Sequence, residues 1–211
     1  MMLIFYYVLF VLIGYLLGSI PSAVWIGKTF YNVDVREHGS HNAGATNTFR
    51  VLGKKPGAIV LLFDVLKGLI ATLPPLLLLN YTEINSITAL DPYRISVGFA
   101  SVIGHLFPVF AGFKGGKGVA TSLGVVIGLH PFSAMVCLIV FSLFYFPTKY
   151  VSLGAISASI SFPIAVFILN PNAGPLMISF SLFICFGILI THRKNIRRLL
   201  RKEENRMNFF K

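Results

Sequence analysis

The chain has 211 residues, of which 55% are apolar and only 12% are charged. A soluble globular domain carries about 25% charged residues, so an ordinary soluble domain is excluded, and the apolar content excludes disorder as well. What remains is an integral membrane protein with a formal net charge of +11, a charge that fits nucleic acid, an anionic substrate or membrane orientation.

At about 20 residues per spanning helix, no room is left for a separate soluble domain, so residues 1–211 are expected to form a single integral-membrane domain. Residues 1–13 are apolar and contain no Lys or Arg. A signal peptide needs a positive leading region, so a retained first helix is the better reading, with this end facing outward. The first span is expected over residues 2–26, and Gly18, Ser19 and Pro21 mark a kink or close helix packing in it. A polar loop over 28–56 follows, then a second span over 57–79, a short polar connection over 80–92 and a third span over 93–110. Next comes a glycine-rich loop, Gly112-Phe113-Lys114-Gly115-Gly116-Lys117-Gly118. Residues 119–146 form one long helix or two short ones meeting at His130-Pro131, because Pro131 disfavours helical geometry at His130. Two further spans, 151–169 and 174–190, flank a turn with Pro171 and Pro175, and a basic tail over 192–211 ends the chain.

Charge chooses between the readings of 119–146. With two crossings there, the 28–56 loop, the Lys114–Lys117 loop, Lys149 and the tail share one side. That side then holds every Lys and Arg except Lys67, inside the second span, and Arg94, which lies opposite beside Glu83 and Asp91. With one long helix, Lys149 and the tail would lie across the membrane from the first two basic loops. The positive-inside rule therefore predicts an all-α polytopic protein of about seven spans, N-terminus out and C-terminus in. The two crossings within 119–146 are expected to be short for a bilayer.

Three polar segments then share the cytoplasmic face. The first, residues 36–50, is dense in small donors such as Ser40, Asn42 and Asn47, and ends on Arg50, a bidentate partner for phosphate or carboxylate. Alone, it supports equally a hydrogen-bonded loop with a helix cap and a ligand loop. The second is Lys114-Gly115-Gly116-Lys117-Gly118, whose glycines let successive amides point at an anion while two lysines supply charge. It lacks the Walker spacing, and alone it is equally a tight positive-inside turn. In the third, His192 to Lys202, basic side chains cover one half of a helical wheel, while His192, Asn195, Ile196, Leu199 and Leu200 share the half facing the bundle. The basic half suits anionic lipid. Ser152 opens the sixth span at the same inner level. Asp64 and Lys67, spaced i, i+3 within the second span, read as a structural pair, and His105 as an interhelical hydrogen bonder. Cys137 and Cys185 lie in apolar runs and read as small buried side chains rather than a disulfide. The 7 carboxylates and 5 histidines are scattered, so no metal and no cofactor are expected.

The ordered motifs Gly18-Ser19-Ile20-Pro21, Gly39-Ser40-His41-Asn42-Ala43-Gly44-Ala45-Thr46-Asn47, Gly104-His105-Leu106-Phe107-Pro108 through Lys114-Gly115-Gly116-Lys117-Gly118-Val119-Ala120, and His192-Arg193-Lys194-Asn195-Ile196-Arg197-Arg198-Leu199 resemble the bacterial acyl-phosphate:glycerol-3-phosphate acyltransferase family over nearly the whole chain. His41 departs from the pattern, where a smaller or uncharged residue is expected. The resemblance implies transfer of a fatty acyl group from acyl phosphate to the 1-hydroxyl of glycerol 3-phosphate at the inner face of the bacterial plasma membrane. The products would be lysophosphatidic acid and phosphate. It implies catalytic roles for Ser40, Lys114, His192 and Asn195, and substrate binding by Arg50, Asn42, Asn47, Gly115, Gly116, Lys117, Gly118 and Ser152. The partners implied are the two substrates and membrane lipids, not nucleic acid; the oligomeric state stays open.

The residues agree with the implied chemistry in one respect. No histidine is followed five positions on by Asp; the residues there are Ala43, Thr46, Phe110, Met135 and Arg197. The His-x4-Asp pattern of other glycerolipid acyltransferases is therefore absent, as is a convincing Ser-His-carboxylate set. An acyl phosphate is already an activated mixed anhydride, so direct attack without an acyl-enzyme is expected. Two other readings remain open at this stage: a small secondary transporter for a phosphorylated solute, and a metal-dependent head-group phosphotransferase, whose Asp-rich motif is missing.

Overall fold

A computed structural model describes residues 2–80, 86–171 and 173–208, and Glu83 and Lys211 lie outside them. Among the described residues all regular structure is helical. The chain divides into two compact units, residues 1–129 and 130–211.

Unit 1 opens with α1 (Met2–Gly18) and α2 (Ser22–Tyr31), bent by 41° at the expected Gly18-to-Pro21 interruption. Residues 28–56 are more structured than a loop. α2 runs on to Tyr31, a 3-10 turn forms at Val35–Glu37, and α3 spans Ala45–Leu52. Ala45, Phe49 and Leu52 fall at i, i+4 and i+7, an apolar stripe, and Ala45 and Leu52 pack on the buried cluster Ala23, Val35 and Val60. Gly53, at φ 96°, ends α3 in a backbone conformation that favours glycine. α4 (Lys54–Ala71) then begins at once and continues as a 3-10 segment over Pro74–Asn80, because the two prolines lack the amide donors an α-helix requires.

α5 (Ile87–Leu106) starts inside the expected 80–92 connection. Ser86 caps it by accepting the Ala89 amide at 3.2 Å, and Pro92 is tolerated in its second turn. α6 (Val119–Leu129) closes the unit. Two backbone-close crossings hold these helices together. A Cβ on Gly18 would overlap the Ser101 backbone and one on Gly104 the Tyr15 carbonyl, pinning α1 to α5. Likewise Gly68 abuts the Thr121 carbonyl and Gly124 the Val65 carbonyl, pinning α4 to α6. Arg94, buried, donates to the carbonyls of Thr72 and Gly128 at the ends of α4 and α6.

Unit 2 begins at the expected His130 break. Pro131 occupies the first turn of α7 (Pro131–Thr148), where its missing N–H costs nothing. α8 (Val151–Leu169) packs against α9 (Pro175–Thr191), with Phe162 and Phe180 edge to face at 6.1 Å. The chain bends by 61° at His192 into α10 (Arg193–Leu200). On α10 Asn195 is buried, as the wheel requires, but Leu200 is 81% exposed and leaves the expected inner half. Past α10, Lys202 turns in the left-handed region at φ 60°. The strand of chain that follows lies over the α7–α8 turn, with the Met207 amide donating to Lys149 O at 2.8 Å and Tyr145 Oη to Met207 O at 3.1 Å.

Among the described residues, four helical segments are long and apolar enough to cross a membrane, and up to six are if each bent pair counts as one. α7 has 18 residues, so only α6, with 11 residues, is short; α6 extends about 16 Å against a hydrocarbon core of about 30 Å. Cys137 and Cys185 are both free thiols.

Candidate functional site

In unit 1 the first two polar segments meet. Arg36 donates Nε and Nη2 to the two oxygens of Asp34 at 3.0 and 2.8 Å, and donates Nη1 to Ala111 O at 2.9 Å. Ala111 lies in the 3-10 turn Val109–Ala111 just before Lys114, so Arg36 ties the residue 32–44 loop to the glycine loop. Neither Asp34 nor Arg36 stands out in the sequence, because the contact joins residues 75 positions apart.

Asn47 is 1% exposed and is wholly engaged by backbone. Its Oδ1 accepts the Ser40 amide at 2.7 Å, while Nδ2 donates to Val35 O and His38 O at 2.6 and 3.1 Å. It braces the loop that presents Ser40 and Asn42, both half-buried, and Arg50 is exposed on α3. His41 sits at φ 56°, with Nδ1 3.1 Å from Arg36 O. That left-handed backbone explains why a smaller residue is expected there. His41→Gly is expected to raise stability by about 0.5–1 kcal/mol, with activity within about twofold of wild type. Thermal melts and initial rates check this, and a loss of stability would contradict it.

The hydrogen bonds from Arg36 hold the Asp34 carboxyl well below the usual carboxylate range, and Lys28 at 3.2 Å adds a weaker, exposed partner. A depressed carboxyl stabilises the fold above its unfolded value, about pH 4, and loses that contribution only as pH falls towards its own lowered value. Asp34→Asn is therefore expected to unfold at lower temperature than wild type at pH 7. The gap should persist to about pH 4 and narrow only in stronger acid; a gap that does not change with pH would be inconsistent with this.

The glycine loop leaves α5 at Phe107. Gly112 and Gly118 take φ of 63° and 85°, and Lys114 is exposed between them. The Gly116 amide donates to His105 O at 3.1 Å, so the second half of the loop folds back on the end of α5. Lys117 is half-buried. Asp64 and Lys67 pair at 2.8 Å, and His105 lies 3.6 Å from the same carboxyl oxygen.

In unit 2, Ser152 and Asn195 meet at a residue the sequence does not single out. Glu204 Oε1 accepts Ser152 Oγ at 2.9 Å and Asn195 Nδ2 at 2.7 Å, and its Oε2 accepts Arg198 Nε at 2.8 Å. Glu204 stands in a charged run that reads as solvated tail, yet its side chain is 6% exposed. His192 is buried at the α9–α10 bend with Nδ1 2.9 Å from Ile188 O. A carbonyl can only accept, so Nδ1 carries the hydrogen and Nε2 is an acceptor in the neutral ring.

Apolar helices that carry buried polar constellations at their breaks and ends define an integral membrane protein. A family model described as glycerol-3-phosphate acyltransferase matches residues 8–202. A glycerol-3-phosphate acyltransferase of Streptococcus equi subsp. zooepidemicus is 42% identical over 205 residues, covering 94% of this chain and 91% of its own. One of Chlorobium phaeobacteroides is 37% identical over 222 residues, with coverages of 93% and 94%. The crystal structure of PlsY (YgiH), an integral membrane glycerol 3-phosphate acyltransferase, in its glycerol 3-phosphate form matches with a TM-score of 0.84 at 40% identity over 96% of each chain. Its lysophosphatidic acid form matches with a TM-score of 0.80 at 38% identity, again over 96% of each chain. The chain belongs to the PlsY-type glycerol-3-phosphate acyltransferase family.

Proposed function

We propose that this chain transfers a fatty acyl group from acyl phosphate to the 1-hydroxyl of glycerol 3-phosphate, by direct attack and without an acyl-enzyme. The observation that carries this reading is the tie between the donor-rich 32–50 segment and the exposed Lys114 loop through Arg36, which gathers groups suited to phosphate within one unit. Membership of the family, and likeness to PlsY in forms named for glycerol 3-phosphate and lysophosphatidic acid, support the acceptor and the product. The donor rests on the chemistry. The acyl phosphate is activated on arrival, which suits a site without a nucleophile–base pair.

In the reaction, the 1-hydroxyl oxygen attacks the acyl carbonyl carbon. The new ester C–O bond forms as the bond between acyl carbon and phosphate oxygen breaks, and phosphate leaves with the electron pair. The acceptor's own phosphate takes the hydroxyl proton. Unit 1 contributes Arg50, Lys114 and Lys117 as charges, with Ser40, Asn42 and the amides of Gly115 and Gly118 as neutral donors, while Gly116 donates its amide to His105 O and serves by shaping the loop. Asn47 serves by shaping the Ser40 loop. Unit 2 contributes His192 and Asn195 to orient the acceptor or assist proton transfer, with Ser152 beside them. The family model runs through both units, which supports residues 1–211 acting as one acyltransferase domain.

In the membrane, the reading places about seven spans, N-terminus out and C-terminus in, with the active face and the 192–211 tail toward the cytoplasm of a bacterial inner membrane. The mutual pairing of Asp64 and Lys67 argues against the transporter alternative, which needs deep polar groups along a solute path. Purified protein given palmitoyl phosphate and glycerol 3-phosphate is expected to release lysophosphatidic acid and inorganic phosphate in equal amounts. Equal use of coenzyme A or acyl-carrier-protein thioesters would refute the donor assignment. Labelling of a cysteine placed in the tail from the outer side of intact cells would refute the topology.

A further inference from the structure

Four buried polar residues of unit 1, Ser22, Asp64, Lys67 and His105, form one connected set, and His105 holds a distinct place in it. Asp64 Oδ1 accepts Ser22 Oγ at 2.8 Å and pairs with Lys67 Nζ at 2.8 Å, and Lys67 donates in turn to Ile20 O at 2.9 Å. These contacts neutralise the pair and cap the break between α1 and α2. His105 turns Nδ1 toward the same carboxyl oxygen at 3.6 Å. Its other edge faces the glycine loop. A Cβ on Gly116 would overlap His105 Nε2 and Cε1, and a Cβ on Gly115 would overlap the carbonyls of His105 and Leu106. Gly116 therefore rests on the His105 ring and Gly115 on the chain that carries it, and His105 O also accepts the Gly116 amide.

We propose that His105, held by Asp64, is a positioning residue whose imidazole is the seat that shapes the Lys114–Gly118 loop. Glycines alone leave such a loop many conformations. A buried ring fixed from behind by a carboxylate selects one of them, and so sets where Lys114 and the loop amides point. The proposal rests on the reading of this loop as a phosphate site and names what holds it.

The test is steady-state kinetics of the purified full chain, with each substrate varied in turn, for wild type, His105→Asn, Gly116→Ala and the double variant. Asn places an amide nitrogen near the position of Nδ1, so the Asp64 contact is retained while the ring edge over Gly116 is removed. Gly116→Ala is expected to raise KM for a phosphate-bearing substrate about tenfold with kcat within about threefold. His105→Asn should raise the same KM by a similar factor with an unchanged melting temperature. The double variant should show no more than about the single tenfold effect, because the new methyl enters the space the ring leaves. If His105→Asn does not fold, His105→Ser, which likewise removes the ring edge over Gly116, is measured in its place, with the same rise in KM required.

A fall in kcat with both KM values unchanged would mean a merely structural role and overturn the proposal. Multiplied effects in the double variant would overturn it too. Lys114→Ala separates the two readings. If it is impaired while His105→Asn is normal, only the seat is wrong. If Lys114→Ala has normal kinetics, the loop is not the phosphate site and the seat proposal falls with it.

Discussion

Lys114→Ala is expected to lower kcat/KM by about 10²–10³-fold while leaving the melting temperature unchanged, as is usual when a single charge-stabilising donor is removed. The side chain is exposed, so its loss opens no cavity and strands no buried partner. What it removes is a full positive charge on the glycine loop. His192→Ala should lose activity to a similar or greater degree, about 10²–10⁴-fold if the ring moves a proton. His192 is buried and donates Nδ1–H to Ile188 O, so some loss of stability accompanies that variant. Lys114 is therefore the cleaner probe. Activity measured beside a thermal melt separates chemistry from folding, and near-normal turnover in both variants would sink the assigned site.

Glu204→Ala is expected to cut activity by about 10²-fold and to cost about 3 kcal/mol of stability. Three donors converge on this one carboxylate: Ser152 Oγ, Asn195 Nδ2 and Arg198 Nε. Removing it takes from Ser152 Oγ and Asn195 Nδ2 the carboxylate oxygen they share and from Arg198 the carboxylate its Nε pairs with. Arg198 is about one-third exposed, so water recovers part of that last loss. Glu204→Gln keeps one acceptor oxygen for Ser152 and Asn195 but turns an NH2 group toward Arg198. It should fall between wild type and Glu204→Ala, about tenfold down in rate. A Glu204→Ala variant within twofold of wild-type activity would show that Asn195 and Ser152 do not depend on this brace.

The breaks in the helices were legible because prolines and glycines act locally. Pro21 and Pro131 each stand at an observed break, and the 112–118 loop lies where its glycines place it. The Asp64–Lys67 pair was legible from i, i+3 spacing alone. α3 was missed although Ala45, Phe49 and Leu52 carry its stripe, because Ser, Asn and Gly around it read as loop. Pro92 misled in the opposite direction, since it looked like a boundary and is accommodated within α5. Arg36 and Glu204 were not legible at all. Each acts through partners far along the chain or after a reversal at Lys202, and neither spacing nor composition encodes such a contact. Asn47 was seen as a ligand donor, yet the structure engages its whole amide with loop backbone.

The glycine crossings between α1 and α5 and between α4 and α6 bear on how function is inferred from tolerance to mutation. At Gly18, Gly104, Gly68 and Gly124 the obstacle to a larger residue is backbone, which cannot swing aside as a side chain does. In a saturation scan scored by growth, these four positions will reject nearly every substitution, as an active-site lysine would. Ranking positions by intolerance alone would therefore merge two populations, one that touches substrate and one that only lets helices meet. Scoring protein abundance beside growth separates them, because the glycine variants are expected to lose the protein whereas Lys114 variants are expected to keep it and lose the reaction.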